Sequence, residues 1–415
     1  MRLAIVNLFY PPDLAPTAQM AASLAEHRAS LGDEVTVICG TGAYLDRSIA
    51  TGSRVGDPGD HRPASRSPRV IRLWSPALGR ASTLRRLGDY LTFLVGAAAR
   101  LAVLPRQDVI VALTTPPYVE VAAVAHRLLS ARTRIVLWSQ DVYPDAAEEF
   151  GGIKPGGMAS QALRATKRWL FRRLDHVVAL DGAMLDRQLS QYARNGRPSG
   201  SVIPNWEPLA LFPSGGRPAR WAAFDEPELA GRFVVLYLGN LGYGHPTETI
   251  IEAAGRLSGE GVTFLFVGGG ARYPEVEEKA KRLNLDNVVL RGYVPKEMTP
   301  EVLAGAHCAL ISLDDRSVGI MSPCKLHGNL AMGIPIAYVG PAGTNIDEAI
   351  RTYRCGFSIP QGDVTGLVGA ILRLRDDREL AAEMARNARL AFEEVYCDAR
   401  TLPQFDALLD RRAVP

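Results

Sequence analysis

The sequence predicts an α/β protein built from two Rossmann-like, doubly wound domains, and three observations carry that expectation. Short apolar strands alternate with helical patterns in both halves of the chain. The alternation stops near residue 203 and restarts near residue 232. Between the two, residues 204–220 carry prolines at 204, 208, 213 and 218, a composition suited to an interdomain linker. At 415 residues the chain is too long for one hydrophobic core and comfortable for two. The expected division is a first domain over 1–205, a linker over 206–220 and a second domain over 221–395. The segment 396–415 is expected to pack back on the first domain.

In the first half, strands are expected over 3–7, 34–39, 109–113, 134–138, 177–180 and 201–203. Helical spacing (Met20, Leu24, Leu31) covers 18–31 and ends at Gly32, and further helices are expected over 119–129 and 160–174. Residues 41–70 are rich in Gly, Pro, Ser, Asp and Arg without periodicity and read as a long loop. In the second half, strands are expected over 233–238, 262–267, 288–290, 309–312, 335–339 and 356–359, with helices between them and a helical close over 364–395.

Hydrophobic content of 47% and charged content of 22% are those of an ordinary globular protein. The five cysteines (39, 308, 324, 355, 397) are scattered, odd in number and form no Cys-x-x-Cys pair. A disulfide framework and a structural zinc site are therefore not expected, and a reducing compartment is. The N-terminal apolar run is too short for a signal peptide, and no stretch reaches the roughly 18 apolar residues of a membrane span. Residues 90–104 come nearest, interrupted by Arg100; the wider segment 84–104 is apolar with basic residues at its ends, and eleven arginines lie from Arg47 to Arg106. That segment reads either as a helix in a membrane interface or as a buried helix packed on the first sheet. Net charge is +3, with an excess of basic residues in the first half and of acidic residues in the second. This suits an anionic surface or substrate for the first half, or simple compositional drift. The basic residues are not interleaved with stacking aromatics, so nucleic acid is not an expected partner.

In an open parallel sheet, ligands bind outside the carboxyl ends of the strands. The loop Gly239-Asn240-Leu241-Gly242-Tyr243-Gly244-His245 joins a strand to a helix, and its glycines let backbone N–H groups approach an anion. It lacks the Gly-x-Gly-x-x-Gly dinucleotide spacing. Ser322-Pro323-Cys324-Lys325 reads as a capped helix start, with Ser322 at the N-cap and Pro323 at the first helical position. A lysine in that first turn opposes the helix dipole, which makes sense if a phosphate sits there. In Ser139-Gln140-Asp141 a strand runs into a polar tip, where Asp141 either meets sugar hydroxyls or caps a turn.

In order and spacing these segments resemble the retaining glycosyltransferases of family 4, which have the GT-B fold of two domains facing a cleft. The resemblance runs through Phe9-Tyr10-Pro11-Pro12, Gly32-Asp33-Glu34-Val35, Thr114-Thr115-Pro116-Pro117 and Gln140-Asp141-Val142-Tyr143-Pro144-Asp145. It continues through Val202-Ile203-Pro204-Asn205, Gly239-Asn240-Leu241-Gly242, Phe266-Val267-Gly268-Gly269-Gly270, Arg291-Gly292-Tyr293-Val294-Pro295 and Ser322-Pro323-Cys324-Lys325-Leu326. It is nearest to enzymes that build exopolysaccharide, capsule or O-antigen units. It implies sugar transfer, with retention, from a nucleotide-sugar (a UDP-sugar first) to a saccharide or polyprenyl-linked acceptor. It also implies a cytoplasmic enzyme, peripheral at the inner membrane face, that needs no cofactor and no metal. Asp141, Lys325 and His245 are the implied catalytic residues. Gly239, Asn240, Gly242, Gly268, Gly269, Tyr293, Val294, Ser322, Pro323, Cys324 and Asn329 would hold the donor. Pro12, Thr17, Thr115 and Gln140 would meet the acceptor.

Two departures from the family stand out. Its two glutamates, eight positions apart, fall here on Ile320 and Gly328, so the ribose is left to Asn329, Glu348 or backbone. The basic pair of its glycine loop is replaced by Asn240 and His245, and an imidazolium at 245 would help hold the diphosphate. Two other readings remain. One is a nucleotide-sugar 2-epimerase, for which no matched carboxylate pair is found. The other is a non-catalytic nucleotide-sugar-binding subunit.

Overall fold

The computed structural model describes residues 1–13, 15–41, 67–74, 83–212 and 218–410. The chain forms two compact units. Unit 1 comprises Met1–Ile203, Gly319–Met321 and Leu402–Pro415, and unit 2 comprises Pro204–Val318 and Ser322–Thr401. Both are Rossmann-like, parallel sheets with alternating helices.

The described strands of unit 1 are β1 (Arg2–Val6), β2 (Glu34–Gly40), β3 (Arg69–Leu73), β4 (Val109–Leu113), β5 (Arg134–Trp138), β6 (His176–Ala179) and β7 (Ser199–Val202). They lie in the order β3-β2-β1-β4-β5-β6-β7, all parallel. The strand order reverses between β1 and β4. The central strands are apolar on both faces because helices cover both sides, and β4 is buried along its whole length. Unit 2 repeats the plan with β8 (Phe233–Asn240), β9 (Val262–Gly269), β10 (Val288–Arg291), β11 (Cys308–Ser312), β12 (Ile336–Val339) and β13 (Gly356–Ile359). Their order is β10-β9-β8-β11-β12-β13, with the reversal between β8 and β11.

The expected strands are present with shifts of one or two residues at their ends. One was missed. β3 falls where the sequence reads as the end of a loop and its sequel. It is an edge strand with Arg69 and Arg72 among its five residues, so its apolar signal is weak. The rest of that expected loop, residues 42–66, lies outside the described residues. The apolar segment near 84–104 is the helix Thr83–Val103. One face buries Phe93, Ala97 and Leu101, and the other exposes Leu87, Leu91, Val95 and Val103. No helix among the described residues is long and apolar enough to cross a membrane.

Residues 204–212 are bonded rather than free. The Glu207 N–H donates to the Tyr396 carbonyl, and the Leu209 N–H donates to Asp398. At the end of the chain, residues 402–410 complete unit 1. The Arg28 guanidinium, 3% exposed, is held by Asp33, Asp406 and Asp410, and the Phe405 ring lies 4.6 Å from that of Trp138.

Candidate functional site

The loops that follow β8, β9 and β11 converge at the carboxyl edge of the unit 2 sheet, at its strand-order reversal. Chain geometry alone makes this a place where β8 and β11 part and leave a crevice. Two glycine positions let the β9 tip approach its neighbours, Gly268 toward the β8 tip and Gly269 toward the loop after β10. A Cβ on Gly268, at φ +143°, would lie 2.2 Å from the Gly239 carbonyl oxygen. A Cβ on Gly269 would lie 2.7 Å from the Tyr293 ring, so the absent side chain is what lets that ring lie down on the backbone. Tyr293 is 37% exposed, and its hydroxyl stands 3.4 Å from Asn240 Oδ1.

Beside these tips, Lys325 and His245 meet. His245 is buried, with Nδ1 2.6 Å from the Ser312 carbonyl oxygen and Nε2 3.3 Å from Lys325 Nζ. A carbonyl can only accept, so Nδ1 carries the proton and Nε2 presents its lone pair to the ammonium. Lys325 Nζ also lies 5.0 Å from the centroid of the Tyr237 ring, which is itself stacked on Phe266. Among the described residues no carboxylate lies within ion-pair distance of Lys325. Desolvation lowers its ammonium to about 8, and desolvation followed by the Lys325 charge holds His245 down at about 3. Arg272, near the same edge, is already matched: it pairs with Glu248 and Glu275.

The structure corrects two expectations here. His245 is neutral, not an imidazolium, because a second cation beside Lys325 in a desolvated setting is costly. Ser322 is not the N-cap. The helix is Lys325–Ala331, the capping position is Cys324, and no side chain caps it. Asn329 donates from Nδ2 to the Lys325 carbonyl one turn back, and its Oδ1 is buried without a partner. Glu348 is exposed in the first turn of Asn345–Tyr353. Gly242 lies between Leu241 and Tyr243 in the loop, and the Gly242 carbonyl accepts from His245 N–H. Pro323 is buried, Cys324 exposed and Val294 half-buried.

In unit 1, Asp141 stands just beyond β5. The Thr114 hydroxyl oxygen, at the β4 tip, accepts from Gln140 N–H at 2.8 Å and Asp141 N–H at 3.1 Å. On its other side Asp141 forms an isolated antiparallel bridge with Met321, and Val142 N–H donates to the Ile320 carbonyl at 2.8 Å. Ile320 is fully buried, which explains an apolar residue there: its side chain packs and its backbone pairs. Desolvation lifts the Asp141 carboxyl to about 6. Asp145, four residues on, is fully buried between Arg164, Arg187 and the Tyr192 hydroxyl and serves the fold. Pro12 is exposed after β1. The Thr17 carbonyl accepts from Asn7 Nδ2, the Thr115 carbonyl accepts from Leu8 N–H, and Gln140 is buried, all at the same carboxyl edge. A cavity of about 460 Å³ lined by Arg2, Asp33, Glu34 and Gln107 lies at the opposite edge and includes none of these residues.

Sequence reasoning missed Tyr237, Ser312 and Thr114 as parts of these sites. Tyr237 and Ser312 lie in buried strands and read as core. Thr114 reads as the neighbour of a more exposed Thr115.

Two family models match, one described as a glycosyl transferase 4-like domain over residues 17–206 and one as glycosyl transferases group 1 over residues 232–377. Together they cover most of the chain. The chain is a glycosyltransferase, with a 4-like domain followed by a group 1 domain. The enzyme is 26% identical over 368 residues to the putative colanic acid biosynthesis glycosyl transferase WcaI of Escherichia coli, covering 85% of this chain and 86% of that one. Among solved structures it is similar to sucrose-phosphate synthase of Thermosynechococcus elongatus, with a TM-score of 0.70, 16% identity, and coverage of 98% and 97%. It is also similar to HepE of Anabaena in complex with UDP and glucose, with a TM-score of 0.69, 16% identity, and coverage of 99% and 100%. At these identities the structural matches establish the GT-B glycosyltransferase fold. Among the described residues no group of three His, Cys, Asp or Glu side chains is placed to hold a metal ion.

Proposed function

We propose that this glycosyltransferase moves a hexosyl or N-acetylhexosaminyl group from a nucleotide-sugar, a UDP-sugar first, to a saccharide or polyprenyl-linked acceptor, with retention, in cell-surface polysaccharide synthesis. The observation that carries the reading is the Lys325 ammonium, uncompensated by any described carboxylate, at the β8/β11 crevice beside glycine-bearing strand tips. Such a cation suits the diphosphate that leaves as the glycosidic bond breaks, because its charge grows in the transition state. In this reading Tyr293 and Val294 meet the base, and Asn329 Oδ1, buried and unpartnered, is a candidate acceptor for a ribose hydroxyl. Asp141 meets a sugar hydroxyl, and residues at 12, 17, 115 and 140 approach the acceptor. The colanic acid relative and the UDP held by HepE support the pathway class and the nucleotide. Retention rests on the family resemblance alone. The chemistry is assigned to these side chains and backbone N–H groups, without a metal.

The test is a panel of UDP- and GDP-sugars assayed for nucleoside diphosphate release, with calorimetry of UDP and GDP. Lys325→Ala is expected to weaken nucleotide binding at least tenfold. Binding of UDP or GDP with no nucleoside diphosphate released from any donor supports a non-catalytic subunit, and absence of binding to either nucleotide overturns the nucleotide-sugar reading. A free epimer formed from UDP-GlcNAc without acceptor supports the epimerase.

The helix Thr83–Val103 adds a second proposal, contact with an anionic membrane at the inner face of the cytoplasmic membrane. Leu87, Leu91 and Val95, each 58–63% exposed, recur every fourth residue, and the exposed Arg85 and Arg86 precede them. Co-sedimentation with phosphatidylglycerol vesicles is expected for the wild type and lost in Leu91→Asp/Val95→Asp. Equal sedimentation of both proteins would overturn it.

A further inference from the structure

The donor edge of unit 2 contains an arrangement that the resemblance does not supply. Where the family carries a basic pair in its glycine loop, this chain has Asn240 and His245. We propose that His245 is a positioning residue: a neutral, tautomer-locked hydrogen-bond acceptor that aims the Lys325 ammonium, so that the donor phosphates meet one directed cation instead of two. The proposal rests on the nucleotide-sugar reading given above.

Three observations carry it. The Ser312 carbonyl, 2.6 Å from Nδ1, accepts the ring's proton and leaves Nε2 as an acceptor facing Lys325 Nζ at 3.3 Å. The Tyr237 ring forms a second wall of the ammonium's seat, 5.0 Å from ring centroid to Nζ, and also packs edge-on against His245. Neither wall neutralises the cation, because an imidazole lone pair and a π face attract an ammonium without cancelling its charge. A lysine has four rotatable side-chain bonds, and holding it costs rotamer entropy that a phosphate would otherwise have to supply on binding. The seat removes that cost in advance. The alternative, that His245 itself contacts phosphate as a cation, fails on position: its Nδ1 is committed to backbone, and protonated Nε2 would stand 3.3 Å from another cation.

The charged and titratable groups facing this pair are few. Arg272 acts on His245 and disfavours its protonation further, the Cys324 thiol neighbours Lys325, and Tyr237 lies under both. Depressed ionisation of His245 agrees with the geometry.

Three variants separate the roles, with binding of UDP, and of GDP in parallel, followed by calorimetry from pH 6 to 9.5. His245→Gln keeps both functions, since one amide can donate to Ser312 and accept from Lys325. It is expected to bind within about threefold of wild type with the same alkaline limb. His245→Leu keeps bulk but no acceptor. It is expected to bind about tenfold more weakly, with the alkaline limb moved to lower pH because the charged form of Lys325 has lost a hydrogen bond. His245→Lys places a second ammonium against the first and is expected to be weaker still. A structural role alone would lower the Tm of His245→Leu without moving the limb. His245→Lys binding as well as or better than wild type would overturn the proposal and make position 245 a phosphate contact. An unmoved limb in His245→Leu would also overturn it. If wild type binds neither nucleotide, the functional reading fails and the proposal with it. If wild type binds and Lys325→Ala does not, yet His245→Leu matches wild type, only the proposal fails.

Discussion

Asp141 shows how one residue's surroundings set its chemistry. Its backbone is pinned by Thr114, while desolvation lifts its carboxyl from the ordinary 3.8 to about 6. Above pH 6 the folded protein keeps a charge that the unfolded chain bears more easily, so the ionised carboxylate costs stability there. Protonation relieves that cost between about pH 6 and pH 4. Asp141→Asn is therefore expected to stabilise the protein at pH 7.5, by on the order of 2 kcal/mol, while lowering kcat at least a hundredfold. Thermal unfolding and turnover measured on the same sample check both halves, and a fall in Tm would refute the stability half. At this scale the sequence was informative about identity and poor about state. Gly268, Gly269, Lys325 and Asp141 are visible as residue types in suitable loops. That His245 is neutral depends on its desolvation and on the charges of Lys325 and Arg272, and its tautomer depends on Ser312, groups that come from other stretches of the chain.

At the scale of elements, the strand tips are what assemble the sites. The β4 tip supplies one hydroxyl that satisfies two backbone N–H groups of the β5 tip, and so sets where Asp141 stands. Thr114→Val preserves shape and removes that acceptor. Leaving two N–H groups unpaired is expected to cost about 2–4 kcal/mol and to reduce kcat/KM at least tenfold, with Thr114→Ser restoring most of both. Urea unfolding and donor turnover measure the two effects, and a variant indistinguishable from wild type would remove Thr114 from the site. The parallel strands were legible because they are short apolar runs ended by polar or glycine residues. β3 was not, since an edge strand with outward arginines loses the pattern that marks its neighbours. The cap of the helix that starts at Lys325 was misassigned because Ser-Pro is a strong local cap signal, whereas here Ser322 and Pro323 lie in the approach to the helix and not in its first turn.

At the scale of the molecule, distant stretches of sequence complete unit 1. Residues 402–410 return to unit 1, where Asp406 and Asp410 join Asp33 around Arg28 and Phe405 packs on Trp138. The short run Gly319–Met321 also belongs to unit 1. The whole chain also has a defined response to acid. Desolvation lowers His245 to about 3 and His327 to about 4, both below the unfolded value near 6.5. Above pH 6.5 both states are neutral and neither histidine contributes. As pH falls below 6.5 the unfolded chain takes up protons that the folded protein refuses, so stability is lost, by about 1.4 kcal/mol per pH unit per histidine, until the folded values are reached. In the Asp141→Asn background, which removes the opposing gain from protonation of that carboxylate, a steep fall in unfolding free energy between pH 6.5 and 4 is expected. His327→Leu should flatten it by roughly half. A flat profile in that background would show that these rings are not buried in their neutral form.

The sequence by itself determined the two Rossmann-like units, nearly every strand and the loops that carry chemistry, because apolar periodicity and strand–helix alternation are local properties of the chain. The family resemblance, not the chain's own pattern, singled out Ile320 and Gly328 as departures. Only the tertiary structure decided how the charges stand. It gave Lys325 an imidazole and an aromatic face instead of a carboxylate, made His245 an acceptor, lifted Asp141 and turned Ile320 into packing. Protonation and pairing depend on desolvation and on partners many residues away, and no local pattern encodes either.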